Sequence, residues 1–105
     1  MKETFGEYIK LLRTHKGLTL TQLAAQLDLD TANLSKIENG KRDFDIKRIP
    51  KLAAVFKLPV QYLKEEFVSD QVAKQVYTMK DPGKLLKAAE EKAVYRKKNH
   101  KSSNS

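Results

Sequence analysis

Hydrophobic residues along this chain recur at intervals of three and four, the spacing of one helical face, and no stretch keeps the period of two that a strand needs. In "TFGEYIKLLRTHKG" Phe5, Ile9 and Leu12 form one stripe with Tyr8 and Leu11 beside it, and Gly17 supplies a residue suited to ending a helix. "TLTQLAAQLDLD" repeats the pattern with Leu20, Leu23, Ala24 and Leu27. Thr19 is its natural N-cap, and Asp28 follows where a turn is needed. A third helix is expected over Thr31–Glu38, capped by Asp30, with only Leu34 and Ile37 facing a core and Gly40 at its end. A fourth spans "DIKRIPKLAAVFKL" from about Asp45, with Ile46, Ile49, Leu52, Ala53 and Phe56 inward and Pro50 tolerated early. "PVQYLKEEF" makes a fifth, with Pro59 in its first turn.

Beyond residue 66 the texture changes. "SDQVAKQVYTM" places Val72, Val76 and Met79 at helical spacing behind a cap at Ser69 or Asp70. "DPGKLLKAAEEKAVYRKK" opens with a cap-like Asp81 and a first-turn Pro82 and carries Leu85, Leu86, Ala88, Ala89, Ala93, Val94 and Tyr95. "NHKSSNS" reads as a disordered tail. The expected architecture is all-α: a five-helix domain over 1–66, a helical extension of about two helices over 67–98, and a tail over 99–105.

Composition narrows the chemistry. The 105 residues include no cysteine, which excludes disulfides and thiolate zinc sites, and the two histidines, His15 and His100, stand far apart. No metal or cofactor is expected. There is no nucleophile–base pair in suitable context and no glycine-rich phosphate loop, so an enzyme is not expected either. "MKETFGEYIK" lacks the apolar run of a signal peptide and no stretch reaches membrane-spanning length, so the expectation is a cytoplasmic protein with no membrane association. His15 reads as a dipole partner at the end of the first helix. Tyr8, Tyr62 and Tyr77 read as core-edge residues.

Charge then points outward. The net charge is +8, with 12 basic and 9 acidic residues up to residue 66 and 9 basic and 4 acidic beyond it. A surplus of this size favours a polyanionic partner, although a solvated lysine-rich surface has the same composition. "YRKKNHK", 95–101, has the same two readings: solvated tail or extra phosphate contact.

"DTANLSKIENGKRDFD", 30–45, carries the functional signal. Two short helices joined by "LDLD" form a helix-turn-helix unit, whose second helix enters the major groove. Leu23, Ala24, Leu27, Leu34 and Ile37 would fix the angle between the helices, with Ala24 small so that they approach and Leu29 plugging the turn. The outer face then holds Thr31, Ala32, Ser35 and Lys36. The first three are short enough for close approach to base edges, with methyl groups for thymine and hydroxyls for either donor or acceptor bases, and Lys36 can donate to guanine O6 and N7. Asn33, Asn39, Lys41 and Arg42 lie at the flanks, where phosphates pass, and backbone N–H groups around Thr19 and Thr21 can cap another.

The run "LTLTQLAAQLDLDTANLSKIENGKR", 18–42, closely resembles the Xre-type, lambda-repressor-like helix-turn-helix family, most specifically in "LSKIENGKR". The resemblance covers about residues 3–66. It implies a five-helix fold, a homodimer on a two-fold symmetric operator, base contacts from Thr31, Ala32 and Lys36 together with Ser35, and phosphate contacts from Asn39, Lys41 and Arg42. It also implies an ion pair between Arg13 and Glu38; on its own Arg13 reads as one more surface cation. Two departures stand out: Leu20 replaces the family's usual glutamine at the start of helix two, and Asp28 its usual turn glycine.

One recognition helix covers few bases, and dimerisation doubles the reading. Val72, Val76, Leu85, Leu86, Ala89 and Val94, with Tyr95, supply more apolar surface than a five-helix domain needs and are assigned as a dimer seam; the other reading packs them back on their own domain. The function expected is a homodimeric transcriptional regulator of the size of restriction–modification controllers and small phage-type repressors, bound to double-stranded operator DNA on the nucleoid. The rival is an antitoxin or adaptor whose C-terminal helices bind another protein.

Overall fold

The protein's structure, a computed structural model, describes residues 3–103, with side chains described through residue 100. These residues form six α-helices and one short 3-10 turn, with no strand among them: α1 (Phe5–His15), α2 (Leu20–Gln26), α3 (Thr31–Glu38), the 3-10 turn Ile46–Arg48, α4 (Ile49–Phe56), α5 (Val60–Val76) and α6 (Pro82–Ser103).

Local chemistry accounts for the boundaries. Thr4 and Thr19 each close a capping box, with Glu7 and Gln22 as the reciprocal partners, and Asp30 accepts the Asn33 N–H at 2.6 Å. Three helices finish in the same way. The N–H groups of Leu18, Leu29 and Lys41 reach back five residues to Arg13, Ala24 and Lys36, while Gly17 (φ 78°), Asp28 (φ 56°) and Gly40 (φ 75°) supply the left-handed turn. This is the Schellman arrangement, which satisfies carbonyls that a helix end would otherwise leave open. At the end of α4 Lys57 (φ 53°) takes that position, and the Leu58 N–H bonds Ala53.

Ile9, Leu23, Leu34, Ile49, Leu52 and Leu63, one or two from each of the first five helices, form with Leu27 at the C-cap of α2 the fully buried centre of the N-terminal compact unit, Met1–Gln71. Phe5 fills one end, with ring centroids 5.7 Å from Phe44 and 5.4 Å from Phe67. Phe44 lies outside any helix and is nevertheless buried.

Several expectations need correction. Ile46 belongs to the 3-10 turn and is 40% exposed; α4 begins at Ile49, which places Pro50 in its first turn, where a missing N–H costs nothing. Leu11 is 51% exposed, and Tyr77 faces solvent rather than a core edge. The separate helix expected from Ser69 is absent, because "FVSDQVAKQV" contains neither glycine nor proline and α5 runs through it. Asp70 caps a helix all the same, but a different one: its Oδ2 accepts the N–H of Phe5 at 3.1 Å, at the start of α1. With Phe67 packed on the core, this carries the first compact unit past residue 66 to Gln71.

The second unit, Val72–Ser105, comprises the end of α5, a short turn and α6. Asp81 accepts the Lys84 N–H at 3.1 Å and so caps α6 just ahead of Pro82. The helix continues to Ser103, through the first part of the segment expected to be a disordered tail; the expectation for 104–105 lies outside the described residues. Among the described residues no helix is long and apolar enough to cross a membrane.

Candidate nucleic-acid interface

α3 is set in place from behind by two helices. It packs against both α1 and α2 through Leu34, Ile37 and Glu38, its buried side. Ala24 is almost fully buried in the α2 contact, as its small size required. Gly6 decides the α1 contact. A Cβ placed there would lie 2.1 Å from the carbonyl oxygen of Ile37, so the backbones of α1 and α3 approach to a distance that only glycine permits.

Arg13 holds the same end of α3. Its Nε donates to Glu38 Oε2 at 2.8 Å and its Nη2 to Oε1 at 3.0 Å, a fork on a nearly buried carboxylate. The remaining nitrogen, Nη1, donates to the Leu18 carbonyl at 2.9 Å, so one guanidinium joins α1, the α1–α2 turn and the end of α3. The bonds to Glu38 raise the Arg13 pKa above its ordinary value against the opposing effect of burial. The α2–α3 turn has its own braces. Arg48 Nη1 donates to the Leu27 carbonyl at 2.7 Å, and Lys51 pairs with the carboxylate of Asp28. Leu20, where the family commonly has glutamine, is half-buried and packs on the core, so its side chain serves the fold.

The opposite side of α3 faces solvent. Thr31, Ala32, Lys36 and Asn39 are exposed, and Ser35 is half-buried on one flank. Ala32, Lys36 and Asn39 follow at four- and three-residue steps and therefore stand in a row. The Thr31 hydroxyl is 3.4 Å from that of Thr21, so the starts of α2 and α3 are adjacent. Lys41 and Arg42 are exposed just beyond the Gly40 turn.

Of the residues assigned to phosphates, Thr19, Thr21, Asn33, Asn39 and Arg42 are engaged within the protein. The Thr19 N–H donates to Gln22 Oε1 at 2.8 Å, which leaves Leu20 and Thr21 as the residues at the start of α2 whose N–H groups have no helical acceptor. Asn39 turns back, its Nδ2 donating to the Ser35 carbonyl at 2.9 Å and standing 3.5 Å from the Ser35 hydroxyl. Asn33 accepts a hydrogen bond from Arg42 through its Oδ1, which keeps its amide nitrogen available and fixes the guanidinium beside α3.

Gly6, Arg48, Lys51 and Asp70 were not singled out from sequence as site-positioning residues. Glycine inside an apolar helical stripe is the signal that was available for the first of them. The other three depend on contacts between residues 21 to 65 positions apart, which no local pattern reveals.

Comparison with known proteins agrees with this geometry. A protein-family profile described as "Helix-turn-helix" matches residues 9–63, more than half of the chain. The chain is 42% identical over 62 residues to the "HTH-type transcriptional repressor RghR" of Bacillus subtilis (strain 168), covering 58% of this chain and 46% of that protein. It is 45% identical over 60 residues to the HTH-type transcriptional regulator RghRB of the same organism, covering 56% and 43%. It is 42% identical over 55 residues to "Control protein C.MunI" of a Mycoplasma species, covering 51% of this chain and 74% of that protein. The chain thus spans less than half the length of the two Bacillus relatives and most of the control protein.

Proposed function

The chain belongs to the Xre-like helix-turn-helix family of transcriptional regulators, and from that premise we propose that it binds an inverted-repeat operator as a homodimer, with α3 of each protomer in the major groove. The observation that carries the proposal is the two-sidedness of α3: Leu34, Ile37 and Glu38 are buried, while Thr31, Ala32 and Lys36 lie open on the other side. Lys36, long enough to reach guanine O6 and N7, reads one position of each half-site, and Thr31, Ala32 and Ser35 read by close contact. Lys41, Arg42, Asn33 and the amides at the start of α2 around Thr21 hold phosphates. Thr19 and Asn39 act mainly by shaping the surface that does so.

Dimerisation is assigned to the apolar residues of the C-terminal unit, Val72, Val76, Leu85, Leu86, Ala89 and Val94. Within the family the subtype is a restriction–modification controller or a phage-type repressor, and the similarity to a control protein over most of that protein's length supports the former. Such a protein works in the cytoplasm on nucleoid DNA.

Selection of bound sequences from a random DNA pool, with the mass of the bound species measured by light scattering, tests this reading. An inverted repeat recovered by a dimer, with half-site centres roughly 34 Å or a multiple apart, is the expected result. A dimer that enriches no motif overturns sequence-specific regulation. In that case the exposed apolar side chains of α6 become the candidate surface for an antitoxin-like or adaptor role.

A further inference from the structure

In α6 both leucines lie in the first half of the helix, and four cations cluster after Glu91, interleaved with Ala93, Val94 and Tyr95. Leu85, Leu86, Ala89 and Ala93 lie on one side of its first three turns. The cations, Lys92, Arg96, Lys97 and Lys98, are all exposed. Arg96 stands eleven residues after Leu85, about 16 Å farther along the axis, so the two groups can serve different partners.

The four cations are unlike Lys84, three residues after Asp81, and Lys87, nearer the start of the helix. Lys87 has Glu90 and Glu91 three and four residues ahead, the spacing at which carboxylates offset a helical lysine. No Asp or Glu stands three or four residues from Lys92, Arg96, Lys97 or Lys98. Lys92 and Arg96 are themselves four apart, a like-charge pair that disfavours the helix. Both lie before the last turn of a helix that ends at Ser103, where the favourable field of the helix C-terminus has largely faded. A sequence that accumulates uncompensated cations in this way is relieved when an anion covers them.

The arrangement also discriminates among anions. Steps of about 100° per residue spread these four side chains around the whole circumference, with no apolar stripe continuing beneath them. A helix that lies on a lipid surface needs such a stripe along its length. A phosphate backbone needs only charge, and an operator held by α3 of the same chain presents phosphates to α6 at high effective concentration.

We infer that Lys92, Arg96, Lys97 and Lys98 form a second, sequence-independent DNA contact that grips phosphates flanking the half-site read by α3. This rests on the proposed operator binding. The test compares the full-length wild type with an Arg96→Gln, Lys97→Gln, Lys98→Gln variant and with Lys97→Gln alone. Each is titrated, at several KCl concentrations, onto the selected operator with and without ten extra base pairs on either side.

The expected result is that the flanks strengthen wild-type binding about ten-fold or more, and that the triple variant loses this gain. Its salt slope should fall by about 0.9 for each cation removed, and that of the single variant by about 0.9 in all, per protomer. The base preferences at the half-site should be unchanged, and circular dichroism and light scattering should show the same fold and mass. Equal slopes and no effect of the flanks would overturn the second contact while leaving operator binding intact. A wild type with no salt-dependent binding to any duplex would sink both. Loss in the triple variant of binding to phosphatidylserine vesicles, with the operator slope unmoved, would instead assign the cations to a membrane surface.

Discussion

At the scale of single residues, the position of α3 depends on two residues that never face its outer surface. Gly6 lets the backbone of α1 reach the last turn of α3, and its replacement cannot be absorbed by a rotamer change, because the nearest atoms are the carbonyl and Cα of Ile37 and Glu38. Gly6→Ala should cost about 1–3 kcal/mol or more, as overpacking does, despite the better helix propensity of alanine. Urea unfolding will measure it, and operator affinity should fall further than stability alone explains, since the helices must part where α3 is held. Unchanged midpoint and affinity would show that the contact is looser than the structure indicates. Arg13 acts by charge. Truncating it to alanine leaves Glu38 buried without its fork and removes the donor to Leu18, and a loss of about 3–5 kcal/mol is expected. The paired replacement Arg13→Met with Glu38→Leu should recover most of that loss in the same unfolding experiment, because the cost lies in the orphaned carboxylate.

At the scale of helices, the fold was legible wherever a local signal sets a boundary. Thr19, Asp30, Asp81, Gly17 and Gly40 occupy cap or turn positions in the structure, and α3 has the limits that its pattern implies. The outer row on α3 was legible for the same reason, since burial of Leu34 and Ile37 fixes which residues face away. The misreadings arose where a segment's partner is remote. Asp70 looked like the cap of its own helix, yet its acceptor is used 65 positions away, and Phe44, between helices, gave no periodic sign of burial. The Arg13–Glu38 pair was reachable only through the family resemblance, because nothing local distinguishes Arg13 from a surface cation. The ends of the helices also expose one imperfect choice. Lys57 adopts the left-handed conformation that glycine holds at the ends of α1 and α3, a conformation that disfavours L side chains. Lys57→Gly should therefore raise stability by up to about 1 kcal/mol, net of the greater freedom of glycine in the unfolded chain, visible as a higher melting temperature. A lower melting temperature would mean that the Lys57 side chain contributes more than its backbone costs.

At the scale of the whole molecule, the proposed homodimer ties occupancy of an operator to how two weak readings are joined. On the proposed reading Thr31, Ala32, Ser35 and Lys36 of one protomer would touch few base pairs, and linking two such modules would raise affinity by about 10²–10⁴-fold when both half-sites can be engaged together. The joint is assigned to α6, where Leu85 and Leu86 are 42% and 41% exposed on the same side as Ala89. Placing charge there, as Leu85→Glu with Leu86→Lys, should leave the helix-turn-helix unit folded, because neither residue belongs to its core. It should also reduce the particle from about twice the 12.0 kDa chain mass to one chain. Binding to an isolated half-site should then be unchanged, while binding to the full inverted repeat drops by that same factor of about 10²–10⁴ and loses its steep dependence on protein concentration. Light scattering and titrations on the two duplexes measure these effects separately. If the double variant stayed dimeric, the seam would lie elsewhere. If instead the wild type were a single chain at concentrations that fill the operator, the apolar side of α6 would belong to a different protein, and regulation would pass through that partner rather than through self-association.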